Sequence, residues 1–198
     1  FKSDGSLFMG TTSEEYTHDG VEISWQSGAW TYTNSDEKKY WPHEALHFYA
    51  VYPVLSMDTD YDRWVFMSWL MNWDNHKIWY STFDEFGGST SSKNVDVMYA
   101  VSPYQNKNTH GGVVSLQFQH ALSQVLFKAK TEDPNIEVEI KEMSIHNFAY
   151  TGTFTFPSFD DNGHVDEVDN SLWASSSSPY CFAIGMNDSP IQVSHSGV

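Results

Sequence analysis

The sequence is short of several things, and each shortage removes a class of protein. Its single cysteine, Cys181, has no internal disulfide partner, and no C-x-x-C or Cys/His cluster surrounds it. It reads as a small buried apolar residue. Basic residues are few: 10 Lys and Arg stand against 26 Asp and Glu, a formal charge of −16. Such a chain repels a phosphate backbone, so no nucleic acid is expected as a partner, and it has no polybasic patch for a membrane surface. No apolar run reaches 18 residues and residue 1 opens no signal peptide, so the sequence as it stands reads as a soluble mature form. There is no G-x-S-x-G elbow, no P-loop and no G-x-G-x-x-G, which lowers the expectation of catalysis. No catalytic residue, metal or cofactor is expected.

Aromatic residues, by contrast, are plentiful. The chain holds 13 Phe, 11 Tyr and 8 Trp in 198 residues, a composition suited to sheets. The length suffices for one sizeable domain with a core that needs no staples. Residues 1–20 are polar apart from Leu7, Phe8 and Met9 and read as a loose or edge segment.

Strand patterns then recur at short spacing. Val21–Trp25 and Ala29–Thr33 alternate around Gln26-Ser27-Gly28, a β-hairpin pattern. Trp64–Trp73 and His76–Tyr80 fit a second hairpin turning at Asp74-Asn75, although period alone leaves a short buried helix open. Asp96–Ala100 reads as a strand closed by Ser102-Pro103. Val114, Leu116 and Phe118 alternate with polar residues, and Val125, Phe127 and Ala129 follow on one face after an interruption at Ala121–Ser123. Ile136, Val138 and Ile140 alternate until the phase slips to Met143 and Ile145, which predicts a β-bulge near Lys141-Glu142. Gly152–Phe156 is a strand stopped by Pro157, and after residue 170 only Tyr180–Ile184 reads as one. The fold class is therefore all-β with mainly antiparallel strands, and the spacing points to a sandwich.

Several stretches invite a chemical reading. Met57–Arg63 resembles the front of an EF-hand loop, but Arg63 stands where glycine is needed and Trp69 where the bidentate Glu belongs, so a solvated acidic turn is favoured. Asp160–His164 is a turn without metal-ligand spacing. His43-Glu44-Ala45-Leu46-His47 spells H-E-x-x-H, the zinc-protease motif, which works only on a helix. The aromatic and β-branched run from Phe48 to Tyr52 favours a strand from about Ala45, on which the two histidines sit roughly 13 Å apart. No third ligand follows at the metzincin step. Trp64, Trp69, Trp73 and Trp79 either fill the core or, where exposed, stack on sugar rings, which makes them the candidate residues for binding a glycan or partner.

Four blocks in order resemble the fimbrillin family, the Mfa-like and FimA-like pilus proteins of Bacteroidales. They are Tyr40-Trp41-Pro42 with Leu46–Pro53, Asp96–Ala100, Val114–Ser123, and Ile136–Asn147 leading into Gly152–Phe156. The resemblance implies a transthyretin-like β-sandwich, exported as a lipoprotein to the outer membrane and cell surface, where it serves as a non-catalytic pilus subunit or adhesin. It also implies assembly with other pilus subunits by strand exchange after a protease removes an N-terminal strand. Host or microbial glycans or proteins are further implied partners, and membrane contact is expected only through a lipid anchor on a leader. Family members usually carry a second β domain, which this sequence does not display, so residues 1–198 read as a single N-terminal domain. Two features depart from the pattern. The only arginine is Arg63, so an N-terminal Arg-specific cut has no target, whereas Lys2 and Lys38-Lys39 offer sites to another protease. The C-terminal donor strand is not recognisable, which leaves stalk, tip and accessory roles open.

Overall fold

The computed structural model describes residues 1–10, 20–53, 69–72, 77–81, 96–148, 151–159, 163–165, 172–175, 180–185 and 191–194. Among the described residues thirteen strands follow in chain order: β1 (Ile23–Gln26), β2 (Ala29–Tyr32), β3 (Leu46–Tyr52), β4 (Trp69–Asn72), β5 (Lys77–Ser81), β6 (Met98–Gln105), β7 (Gln119–His120), β8 (Val138–Ile140), β9 (Glu142–Phe148), β10 (Thr151–Thr155), β11 (Trp173–Ser175), β12 (Tyr180–Gly185) and β13 (Ile191–Val193). The pairings β1–β2, β3–β6, β6–β7, β4–β5, β5–β10, β8–β13 and β9–β12 are all antiparallel, and among the described residues helix is confined to two short 3₁₀ turns, so the all-β class holds. The chain divides into two compact units. One comprises residues 1–122 and 151–174, the other residues 123–150 and 175–198.

In the first unit, β1 and β2 form a hairpin of their own, and Ser27 and Gly28 both take positive φ at its turn. Two central positive φ values match the right-handed twist of the strands that the turn joins. The unit also holds a four-stranded sheet, β11-β10-β5-β4, and a three-stranded sheet, β3-β6-β7. Both contribute to one apolar cluster, in which Ile78 of β5 and Phe154 of β10 meet Tyr99 of β6, Val97, Ala121 and Phe156. Tyr49, Val51 and Trp173 pack against it. Burial pushes the Tyr49 hydroxyl up to about 12 and raises that of Tyr99, so both phenols stay neutral. Gly152 lets β10 approach β11: a Cβ there would lie 3.1 Å from the Trp173 ring and 3.2 Å from the Ala174 carbonyl.

The expected end of a strand at Ser102-Pro103 is corrected, since β6 runs through to Gln105. Proline has no N–H for a ladder, and β6 accommodates Pro103 by a register break: Leu46 opposes Gln105 and Phe48 opposes Ser102, so Pro103 and Tyr104 together face His47. Tyr104 takes a φ of 52° at this bulge.

In the second unit, β12 pairs with β9 and β13 with β8. The phase slip seen in the sequence falls at Lys141, but it is a junction and not a bulge, because β8 and β9 on either side of it serve different partners. The bulge lies further on. Phe148 opposes Tyr180 and His146 opposes Cys181, leaving Asn147 over at a φ of 60°, a conformation asparagine tolerates. The three-residue strands β11 and β13 were not expected from the sequence, being too short to display a period.

Candidate functional site

The H-E-x-x-H residues form no helix. His43 and Glu44 lie in a bend before β3, where Glu44 pairs with Lys2 at 3.5 Å. His47 is the second residue of β3 and is buried. Its Nδ1 accepts the backbone N–H of Tyr104 at 3.3 Å, and its ring stacks on Phe159 at 4.7 Å and meets the edge of Tyr104 at 4.6 Å. Burial lowers its pKa, so the ring is held neutral. These contacts give His47 a structural role and remove the helix on which zinc-protease chemistry depends. Among the described residues no group of three His, Cys, Asp or Glu is placed to hold a metal.

Of the four tryptophans singled out in the sequence, Trp64 and Trp73 lie outside the described residues. Trp69 and Trp79 fall on neighbouring rungs of the β4–β5 ladder, opposite Tyr80 and Leu70 respectively. The loop resembling an EF-hand and the Asp74-Asn75 turn also lie outside the described residues.

The site that the structure does bring forward is a stretch of chain with the character of a strand and without a sheet. Alternation predicts strands over 114–119 and 124–130, yet only Gln119 and His120 join a ladder. The pairing ends in the first unit at Ala121, whose N–H donates to the Val97 carbonyl while its own carbonyl accepts from Trp173 Nε1, each at 2.8 Å. In the second unit, Ser123–Lys130 runs on without backbone partners among the described residues until Thr131 donates to the Ser194 carbonyl at 3.2 Å. Val125, Leu126 and Phe127 are 63%, 73% and 46% exposed. Neighbouring residues of an extended chain point to opposite faces, so Val125 and Phe127 are uncovered on one face and Leu126, between Gln124 and Lys128, on the other. Lys128 and Lys130 follow directly, the kind of charge that keeps an open edge from pairing indiscriminately.

Sequence reasoning missed Trp25 and Trp30. They sit directly opposite one another on the β1–β2 hairpin, with ring centroids 5.7 Å apart and planes at 72°. Both are exposed. The signal was available, since each is two residues from Ser27-Gly28, and a two-residue turn there pairs them across the ladder.

A fimbrillin-like family model matches residues 3–179. The chain belongs to the fimbrillin-like family. A fimbrial subunit is accordingly what it is, located at the cell surface and assembling with other pilus subunits. Neither a search of curated proteins nor one of solved structures returns a match.

Proposed function

We propose that this chain is a non-catalytic fimbrial subunit or surface adhesin that joins its neighbours by β-strand addition. The observation that carries the reading is the extended stretch Ser123–Lys130, whose backbone has no partner among the described residues and whose apolar side chains face outward on both sides. In strand addition, backbone hydrogen bonds supply the affinity and alternate side chains fill pockets of the partner. A strand that is amphipathic within one chain has one face already satisfied. Here Val125 and Phe127 on one side and Leu126 on the other are all exposed, and a strand from a second chain would supply the sheet that the described residues do not.

Maturation fits the same reading. Lys38 and Lys39 are exposed in the linker between β2 and β3, and Phe1 and Lys2, upstream of them, lie along β3 through a Lys2–Leu46 bridge and the His47 N–H donating to the Phe1 carbonyl at 2.9 Å. A lysine-directed cut in this linker disconnects the N-terminal segment from the strand it touches. A lipid anchor, an outer-membrane location and a transthyretin-like topology complete the proposal, and the shared core of the two sheets in the first unit supports the last of these.

The test is assembly of the full chain before and after limited lysine-specific proteolysis, followed by light scattering and electron microscopy. The wild type is expected to form oligomers, and Leu126→Pro, which removes an N–H from the stretch, is expected to remain monomeric. Oligomers that form equally well with Leu126→Pro would remove this stretch from assembly.

A further inference from the structure

The β1–β2 hairpin has two unlike faces. Because directly opposed residues share a face, Ile23, Trp25, Trp30 and Tyr32 lie on one side, and Ser24, Gln26, Ala29 and Thr31 on the other. The polar side satisfies itself: Gln26 Nε2 donates to Ser24 Oγ at 2.8 Å and the Thr33 hydroxyl donates to the same oxygen at 3.0 Å. The aromatic side does not. Trp25 is 61% and Trp30 67% exposed, and neither indole N–H donates to a protein group among the described residues.

We propose that this aromatic corner is a binding site for a neutral saccharide. Three observations select that occupant. First, two tryptophans exposed to this degree offer roughly 300 Å² of ring surface, whereas a stable protein interface needs about 800 Å² on each side, so a second copy or a folded partner is poorly matched in size. Second, residues 21–33 contain no Lys or Arg, Glu22 is their only charged side chain, and the whole chain carries −16, so a sulfated or uronic-acid polymer, a phosphate headgroup or a nucleic acid meets repulsion with no counter-charge. Third, the two rings stand at 72° and form a corner with a floor and a wall. The C–H face of a pyranose lies against one ring while its hydroxyls accept from the free indole N–H groups, a pairing of apolar face and hydrogen-bond acceptor that a lipid chain lacks.

The site also has a reason to be rigid. The Ser27-Gly28 turn fixes the register, and the register fixes which residues oppose each other, so the two rings are brought together by the backbone before any ligand arrives. The site shares no residue with Ser123–Lys130, so a titration of the uncut chain reads it separately from assembly.

Isothermal titration of the full chain with hexasaccharides of glucose, mannose, galactose and N-acetylglucosamine tests the proposal, with heparin and hyaluronan hexasaccharides and oligolysine as contrasts. At least one neutral sugar is expected to bind. Trp25→Ala and Trp30→Ala should each weaken it by about ten-fold or more, and Thr31→Ala on the polar face should leave it unchanged. In wild-type protein, the two indole N–H resonances identified through Trp25→Phe and Trp30→Phe should shift on titration, a readout that stands even where the alanine variants lose the hairpin. The proposal is overturned by absence of neutral-sugar binding at about 10 mM ligand, by binding restricted to the charged probes, or by shifts confined to other indoles such as those of Trp64 or Trp73.

Discussion

The Tyr104 backbone N–H donates to Nδ1 of His47 across the register break that Pro103 imposes on β6. A side chain of one strand thus takes a donor that the regular ladder would have given to a carbonyl. The bond requires an unprotonated Nδ1, and burial lowers the His47 pKa below its ordinary value of 6.5.

Acid should therefore loosen this corner. Above pH 6.5 His47 is neutral in folded and unfolded chains alike and its contribution to stability is complete. As pH falls through 6.5 the unfolded chain takes up a proton before the folded one does, so stability declines, and the decline ends once the pH is below the lowered folded value. His47→Asn, whose side-chain oxygen replaces Nδ1 as acceptor and does not titrate, should flatten that part of the curve. Urea midpoints measured between pH 5 and pH 8 check this, and equal slopes for variant and wild type would refute it.

Gly152→Ala should destabilise the first unit by about 1–3 kcal/mol, because the added Cβ meets the Trp173 ring at 3.1 Å and a backbone carbonyl at 3.2 Å, and the carbonyl cannot move aside. Trp173→Phe keeps most of the ring yet strands the Ala121 carbonyl, a loss of about 1–2 kcal/mol. Thermal melts of both variants and of the double variant read these effects. The two sites touch, so their costs should not add.

A clean separation of fold from assembly is expected between Ile78 and Leu126. Ile78 is 0% exposed, and Ile78→Ala should cost about 2–5 kcal/mol. Leu126→Asp should change the melting behaviour by less than about 0.5 kcal/mol, since its side chain is already in water, while abolishing oligomers. A destabilised Leu126→Asp monomer would mean that the stretch is packed in solution.

The turn of the β1–β2 hairpin should respond to its two positive φ values. Ser27→Asn places a residue that tolerates the left-handed region where Ser27 now adopts it, and should stabilise the hairpin by a few tenths of a kcal/mol. Gly28→Ala should cost about 1–2 kcal/mol at a φ of 88° and, by loosening the pairing of Trp25 with Trp30, should weaken any ligand of that corner. Indole chemical shifts and amide exchange of residues 23–32 report both.

How far the sequence could be read depended on whether a signal was local. Ser27-Gly28 between alternating residues announced its hairpin, and Phe48–Tyr52 announced β3 against the competing helical motif, because both patterns are written in consecutive side chains. Pro103 misled for a physical reason. A proline ends a regular strand, but the remedy here is the imidazole of His47, 56 residues earlier in sequence, and nothing near Pro103 foretells it. Val125–Phe127 misled in another way. Alternation reports which side chains can be covered, whereas a strand exists only when another backbone pairs with it, and consecutive side chains do not say whether one does. The dense run of tryptophans from Trp64 to Trp79 is the weaker geometric cue, since Trp25 and Trp30, spaced evenly about Ser27-Gly28, are paired by the turn alone.

The hairpin's ladder is closed on itself, every registered pair of β1 being with β2. A cut at Lys38-Lys39 would consequently part the aromatic corner from the body of the subunit without unzipping any other strand pair among the described residues beyond the single Lys2–Leu46 bridge. Processing and recognition would then be alternatives written into one linker. An uncut subunit displays the corner, and a cut one can shed it, so the fraction of fibre subunits retaining residues 1–38, read by mass spectrometry, should set how much sugar a fibre can hold.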